Sequence, residues 1–434
     1  MPATPLNSML QQAQRATFFL LVFFISFQVG FHFWPNFTYI SGVRIDYLSP
    51  TLYLLDIIVC FFILLSIPNF PKFKKYYIEN RLFKVLFSLF ILSLILNSFL
   101  AKSPQTHIFG IIKLIEFALL GFSISLFFRK RHVRFFVDAL ALSAVISSIL
   151  AVWQFFQQSS AGGFWYFLGE RTFNSLTIGI STVNLNEQML RSYGSFPHPN
   201  VLAFFLLTAI VFIIFRLRFE KNVYEKIFLI SSFMLSTTAL FFTFSRSVIL
   251  LAICFFIYAI YTKLKANIRL LVVSLVVVFA LLYFVFSSQI LSYQFLLRGF
   301  DFRQELYIQS YEILLKNPYF GIGLNNFFVH QAPLIKTISP IIYQPVHNIF
   351  VLALLSVGIF AFWIFPYLFV LAIRSLMNKI QIANYELRSF YGSVLFLIIS
   401  IGIVGVFDHF FLTLEQGQIM LAIILGLSFA KLTD

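Results

Sequence analysis

About twelve runs of roughly 20 mainly apolar residues, separated by polar or Pro- and Gly-containing stretches, leave this chain few ways to fold. They fall near 17–31, 48–67, 82–100, 107–128, 133–156, 200–215, 227–243, 247–262, 270–290, 348–371, 389–407 and 416–430. Inside hydrocarbon the backbone must satisfy its own N–H and C=O groups, so runs of this length become helices. The 434 residues are 60% hydrophobic and only 11% charged, outside the balance of a soluble globular protein. The expectation is an all-α polytopic membrane protein of about twelve transmembrane helices, with residues 1–434 forming one integral membrane domain.

The first run has no small-residue cleavage site and leads into FHFWPNF, which reads as a retained span. Cys60 and Cys254 fall inside the second and eighth runs without metal-type spacing, so disulfide and zinc readings are dropped. Cytoplasmic loops retain Lys and Arg. With both termini inside, most of the 31 basic residues lie in inner segments, as in the cluster Arg129, Lys130, Arg131 and Arg134. The net charge of +15 then records topology and calls for no nucleic-acid partner.

Two outer connections are long, residues 157–199 and 291–347. Long ordered loops are where function concentrates. The first ends in PHPN and the second in PVHN, which puts Asn200 and Asn348 where an N-cap belongs. Both motifs read as caps with a proline-fixed entry. The partial positive charge of a helix N-terminus also disfavours protonation of a nearby histidine, and a neutral His198 or His347 could accept a proton as a general base. Arg191, Arg246, Arg298 and Arg303 gather on the side that should be poor in basic residues. Their forked guanidinium groups suit a phosphorylated lipid head group, although Arg246 also reads as snorkelling and Arg298 as a solvated charge.

In RQELYIQSYEILLKNPYFGIG, Glu305, Gln309, Glu312 and Lys316 share one helical side, with Tyr307, Tyr311, Leu314 and Leu315 opposite. This predicts an amphipathic helix in the second long loop, stopped at Asn317-Pro318, followed by GIG as a flexible turn. No GxGxxG follows, so nucleotide binding has no support. Lys113 and Glu116 are expected to neutralise each other within the fourth span. Asp56 and Asp138 have no visible partner. Asp408, His409 and Glu415, in VFDHFFLTLEQGQ, read first as a wet loop at the last outer turn and second as groups that orient a base or acceptor.

RSYGSFPHPN with its following span, the FSRS turn, RQELYIQSYEILLKNPYFGIGLNNF and PVHNIFVLALLSVGIF resemble, in order and spacing, the O-antigen ligase and O-antigen polymerase superfamily of bacterial membrane glycosyltransferases. The resemblance covers residues near 190 to 370. It implies transfer of a glycan from an undecaprenyl-diphosphate carrier to a hydroxyl of a lipid core or growing polysaccharide, at the outer face of the cytoplasmic membrane. It also implies that Arg191, Arg246 and Arg303 bind the diphosphate and that the long-loop histidine is His347. The chemistry is that of a single displacement with inversion, His347 taking the acceptor proton. His198, Asn200, Asn348, Arg298, Asp408 and His409 are the supporting candidates. The first outer loop offers only Asp46 as an acid, so neither a metal nor another cofactor is expected. The expected partners are the lipid-linked donor, a lipid or saccharide acceptor and the bilayer. A flippase of lipid-linked glycans is the alternative, but no internal repeat is found and the informative residues cluster on one face.

Overall fold

The computed structural model describes residues 5–73, 80–185, 187–261, 293–335 and 343–432. The helices of the first half are α1 (Pro5–Phe24), α2 (Leu54–Ser66), α3 (Arg81–Leu100), α4 (Pro104–Phe127), α5 (Val133–Gln157), the single turn α6 (Phe164–Phe167), α7 (Pro199–Leu217), α8 (Val223–Phe242) and α9 (Arg246–Tyr261). Then come α10 (Tyr293–Lys316), the short α11 (Phe327–Gln331), α12 (Ile349–Phe362), α13 (Ile364–Ile382), α14 (Tyr385–Phe407), the turn α15 (Phe410–Thr413) and α16 (Glu415–Phe429). Among the described residues α3, α4, α5, α7, α8 and α14 are long and apolar enough to cross a membrane, while α2, α9 and α16 are shorter apolar helices. The expected span near 270–290 lies outside the described residues.

The described residues are mostly helical, as expected, and the only sheets among them are short antiparallel pairs outside the spans: β1 (Gly30–His32) with β4 (Thr51–Tyr53), β2 (Tyr39–Ile40) with β3 (Val43–Arg44), and β5 (Thr182–Leu185) with β6 (Glu187–Leu190). Two boundaries are corrected. The first run stops as helix at Phe24, and Gly30 already belongs to β1. The tenth run is two helices, because α12 and α13 meet at a bend of 85°.

Within α12 the helix also breaks at Gly358, whose φ of 74° is left-handed. A break in an apolar environment strands carbonyl groups that must find donors. The segment after α10 supplies them. Ile322 N–H donates to Leu355 O (2.9 Å), Gly323 N–H to Ser356 O (3.0 Å), and Ser93 Oγ of α3 to Val357 O (2.8 Å). GIG is therefore a fixed splint and not a flexible turn. Gly321 has a φ of 75°, and a Cβ there would lie 2.5 Å from Leu355 O.

The buried stripe of α10 follows neither of the two sides named from the sequence. Leu306, Gln309, Ser310 and Ile313 are buried, whereas Tyr307, Tyr311 and Leu315 are exposed. Gln309 Nε2 donates to Glu305 Oε1 (3.1 Å), and Gln331 Nε2 of α11 donates to Gln309 Oε1 (2.9 Å), so a polar residue enters the packed stripe with its hydrogen bonds met.

The centre of the molecule is α7. VLAFFLLTAIVFII is apolar all round, the mark of a helix enclosed by other helices, and Val201–Leu207 and Ala209–Ile213 have no exposed surface. It packs against α5, α8, α9 and α14. Its N-terminal residues are thereby held rigidly at one end of the bundle.

Between α2, α4 and α16, Lys113 pairs with Asp56, with Glu116 (3.2 Å) and with Glu415 (3.3 Å). The expected Lys113–Glu116 pair forms, but two further acids share the ammonium. Asp56 is not partnerless, Asp138 meets Arg134 at 4.0 Å, and Glu415 is buried instead of sitting in a wet loop. Asp56, Glu116 and Glu415 offer oxygen atoms within 4.8 Å of one another, and Lys113 is the cation among them. Buried charge is tolerated only when so paired. Beside this clasp α4 and α16 touch through glycines: a Cβ on Gly426 would lie 2.6 Å from Gly121 O.

Candidate active site

The N-terminus of α7, the loop before α12 and the Asp408-His409 corner between α14 and α15 meet on the wall of a cavity of about 1580 Å³. Arg191, His198, Asn200, Arg303, His347 and Asp408 all line it. Lys113 and Glu415 line the same cavity, as do the apolar side chains of Phe90, Phe117, Phe122, Phe365 and Leu425.

The cap of α7 is His198 and not Asn200: its Nδ1 accepts from Asn200 N–H at 3.1 Å. Asn200 sits one step inside the helix, where its side chain is free for other work. Arg191 Nη2 donates to Asn200 Oδ1 (2.7 Å), and Asn200 Nδ2 donates to Asp408 Oδ2 (2.7 Å). Arg191 Nε also donates to Thr243 O at 2.7 Å, tying the guanidinium to the turn before α9. Asn348 does cap its helix, accepting from Phe350 N–H (2.9 Å) and Val351 N–H (3.1 Å).

Three histidines surround Asp408, and they differ in what their nitrogens do. His198 is fully engaged, with Nδ1 on Asn200 N–H and Nε2 at 3.1 Å from Ser181 Oγ. His409 Nδ1 lies 2.7 Å from Thr413 Oγ1, and its ring meets Tyr47 and His347 edge to face, with centroids 5.6 Å and 4.9 Å apart. Nδ1 of His347 is buried and has no hydrogen-bond partner among the described residues. A buried polar atom in that state is open to a hydrogen bond from a ligand group or water.

Electrostatics follow from enclosure. Burial drives the His198 and His409 imidazoles down to about 3, although Asp408 pulls both upward. Burial also lowers His347, with Arg303 adding to the effect and Asp408 and the Pro345 carbonyl opposing it. For Asp408 burial works upward but is outweighed by His409, His198, His347 and the Asn200 hydrogen bond, so its carboxyl stays below the usual range. Arg191 is lowered to about 10, chiefly by burial, with the like charges of Arg246 and Arg303 contributing.

The structure brings together Arg191, His198, Asn200, Arg303, His347, Asp408 and His409. Arg246 opens α9, is exposed and stands outside the cavity lining, and Asn348 stays at its cap with Nδ2 directed to Tyr307 Oη (3.3 Å). Arg298 lies on α10, with its side chain outside the described residues. Asp408 and His409 are buried and not part of a wet loop, because the short α15 folds the corner back into the bundle. Tyr47, Arg171 and Ser181 also line the cavity and were not singled out from the sequence. For Arg171 a signal existed, since it is another arginine on the side poor in them.

Fold and site together define a polytopic helical membrane protein with an arginine–histidine–aspartate centre on the wall of a largely apolar cavity. Residues 231–366 match the family model described as O-antigen ligase, so this part of the chain is similar to that family. The family is one of glycosyltransferase-type enzymes acting on lipid-linked saccharides, and with the apolar helices it indicates a multi-pass inner-membrane protein. The matched segment holds Arg246, Arg303 and His347, while Arg191, His198 and Asp408 lie on either side of it. No curated protein matches the chain.

Proposed function

We propose that this protein transfers a glycan from undecaprenyl diphosphate to an acceptor hydroxyl at the outer face of the membrane, with inversion at the anomeric carbon. The observation that carries the reading is Nδ1 of His347, without a hydrogen-bond partner among the described residues, on a cavity that Arg191 and Arg303 also line and that has many apolar side chains in its wall. The acceptor O–H gives its proton to His347 as its oxygen bonds to the anomeric carbon. The bond from that carbon to the phosphate oxygen breaks, and its electron pair leaves with the diphosphate. Arg191 and Arg303 offset the charge that develops there, an effect worth several kcal/mol in a site that excludes water. Asp408 stabilises the imidazolium that forms. The apolar side chains in the cavity wall suit the polyprenyl chain of the donor.

Purified protein in vesicles, given a labelled undecaprenyl-diphosphate glycan and a saccharide acceptor, tests this. The expected result is glycan joined to acceptor with the opposite anomeric configuration. Movement of the labelled donor across the bilayer without any joined product would support a flippase instead.

A further inference from the structure

Building on the transfer reading, we infer that Asn200 is the positioning residue that joins the diphosphate end of the site to its histidine end. Its amide does what few side chains can do at one position: the oxygen accepts from Arg191 Nη2 (2.7 Å) while the nitrogen donates to Asp408 Oδ2 (2.7 Å). Its backbone N–H meanwhile caps onto His198 Nδ1 (3.1 Å). The first turn of α7 is anchored by a helix with no exposed surface over most of its length, so the amide cannot drift from either neighbour.

The choice of an amide has a physical reason. If Arg191 met Asp408 directly, the pair would cancel, and both charges would be lost to the cavity. Interposed, Asn200 fixes both groups and neutralises neither. Arg191 keeps its full charge for an anion, and Asp408 remains an anion facing His198, His347 and His409. Aspartate at this position would pair with Arg191 and set a second carboxylate against Asp408.

The test uses the full chain with Asn200→Asp, Asn200→Ala and Asn200→Gln. Two readouts need no turnover: affinity for undecaprenyl diphosphate, and titration of the site histidines followed by NMR of ¹⁵N-histidine-labelled protein. Asn200→Asp is expected to weaken undecaprenyl-diphosphate binding by about tenfold or more and to raise the pH at which His347 titrates. Asn200→Ala is expected to show the affinity loss without the added charge, and it carries the test if the aspartate variant does not fold. Asn200→Gln, which keeps both hydrogen-bonding ends, is expected to recover part of the affinity. A merely structural role would lower the yield of folded protein and leave both readouts at parental values. Parental affinity and histidine titration in folded Asn200→Asp, or parental affinity in folded Asn200→Ala, would overturn the inference even if the parent transfers glycan. Shifted readouts in a parent background that transfers no glycan would instead uphold Asn200 and overturn the transfer reading.

Discussion

His198 and His347 stand in nearly equivalent sequence settings, each just ahead of an asparagine at a helix entrance, and the difference between them arises from residues far along the chain. Ser181 and Asn200 N–H occupy both nitrogens of His198, whereas Nδ1 of His347 is left without a partner among the described residues. A sequence motif cannot encode that distinction, since it depends on which loop folds against which ring. His198→Ala should therefore cost about 1 kcal/mol of stability through the lost cap, read as a lower Tm, while turnover falls far less than for the base. Because His347 is lowered from the ordinary histidine value, its neutral form persists to lower pH, and the acid limb of kcat should lie below about pH 6.5. A limb above that value in a pH–rate profile would contradict the assignment. Stability carries its own pH signature. His198 and His409 titrate near 3 when folded, so between about 6.5 and 3 the unfolded chain binds more protons than the folded one. Their contribution is complete above about 6.5 and is lost as pH falls toward 3. Thermal unfolding in detergent from pH 7 to 4 should show Tm declining with acid, less steeply in His409→Asn.

Helices were legible because hydropathy and caps are local. Runs such as 82–100, 133–156 and 200–215 coincide with α3, α5 and α7 within a few residues. The break in α12 was not legible, since a glycine in an apolar run reads as tolerated until one sees the Pro318–Gly323 segment supplying donors to its carbonyls. The buried stripe of α10 is not legible for a related reason: Gln309 finds its partners in Glu305 and Gln331 and so enters the packed stripe at little cost, a pairing that spacing within the helix does not encode. Gly358→Ala should be strongly destabilising. It forces a side chain onto a left-handed residue, where its Cβ would lie 2.2 Å from Tyr319 O. A drop in Tm of several degrees is expected, and an unchanged melting curve would mean that the splint is dispensable. Lys113→Met should be worse, because it leaves Asp56, Glu116 and Glu415 buried without their shared cation, a loss of about 3–5 kcal/mol.

At the scale of the whole molecule, a fully enclosed α7 carries His198 and Asn200 to a point where three distant segments converge. Asp408 lies 208 residues from its hydrogen-bond partner Asn200, a separation across which no pattern of spacing operates. Sequence reading thus reached the arginines and histidines as residue types on one face, but took the Asp408-His409 corner for a wet loop when it is the buried anion of the site. If Arg191 and Arg303 hold a diphosphate in this cavity, Arg191→Ala and Arg303→Ala should each weaken donor binding by about tenfold or more while leaving the melting temperature near that of the parent. The most direct test of the account is one paired measurement on His347→Ala: turnover with lipid-linked donor and acceptor, and affinity for that donor in the same preparation. Turnover should fall roughly 10²–10⁴-fold while affinity stays within about twofold of the parent. Turnover close to parental would contradict the account, as would a loss of donor affinity large enough to explain the whole fall in rate.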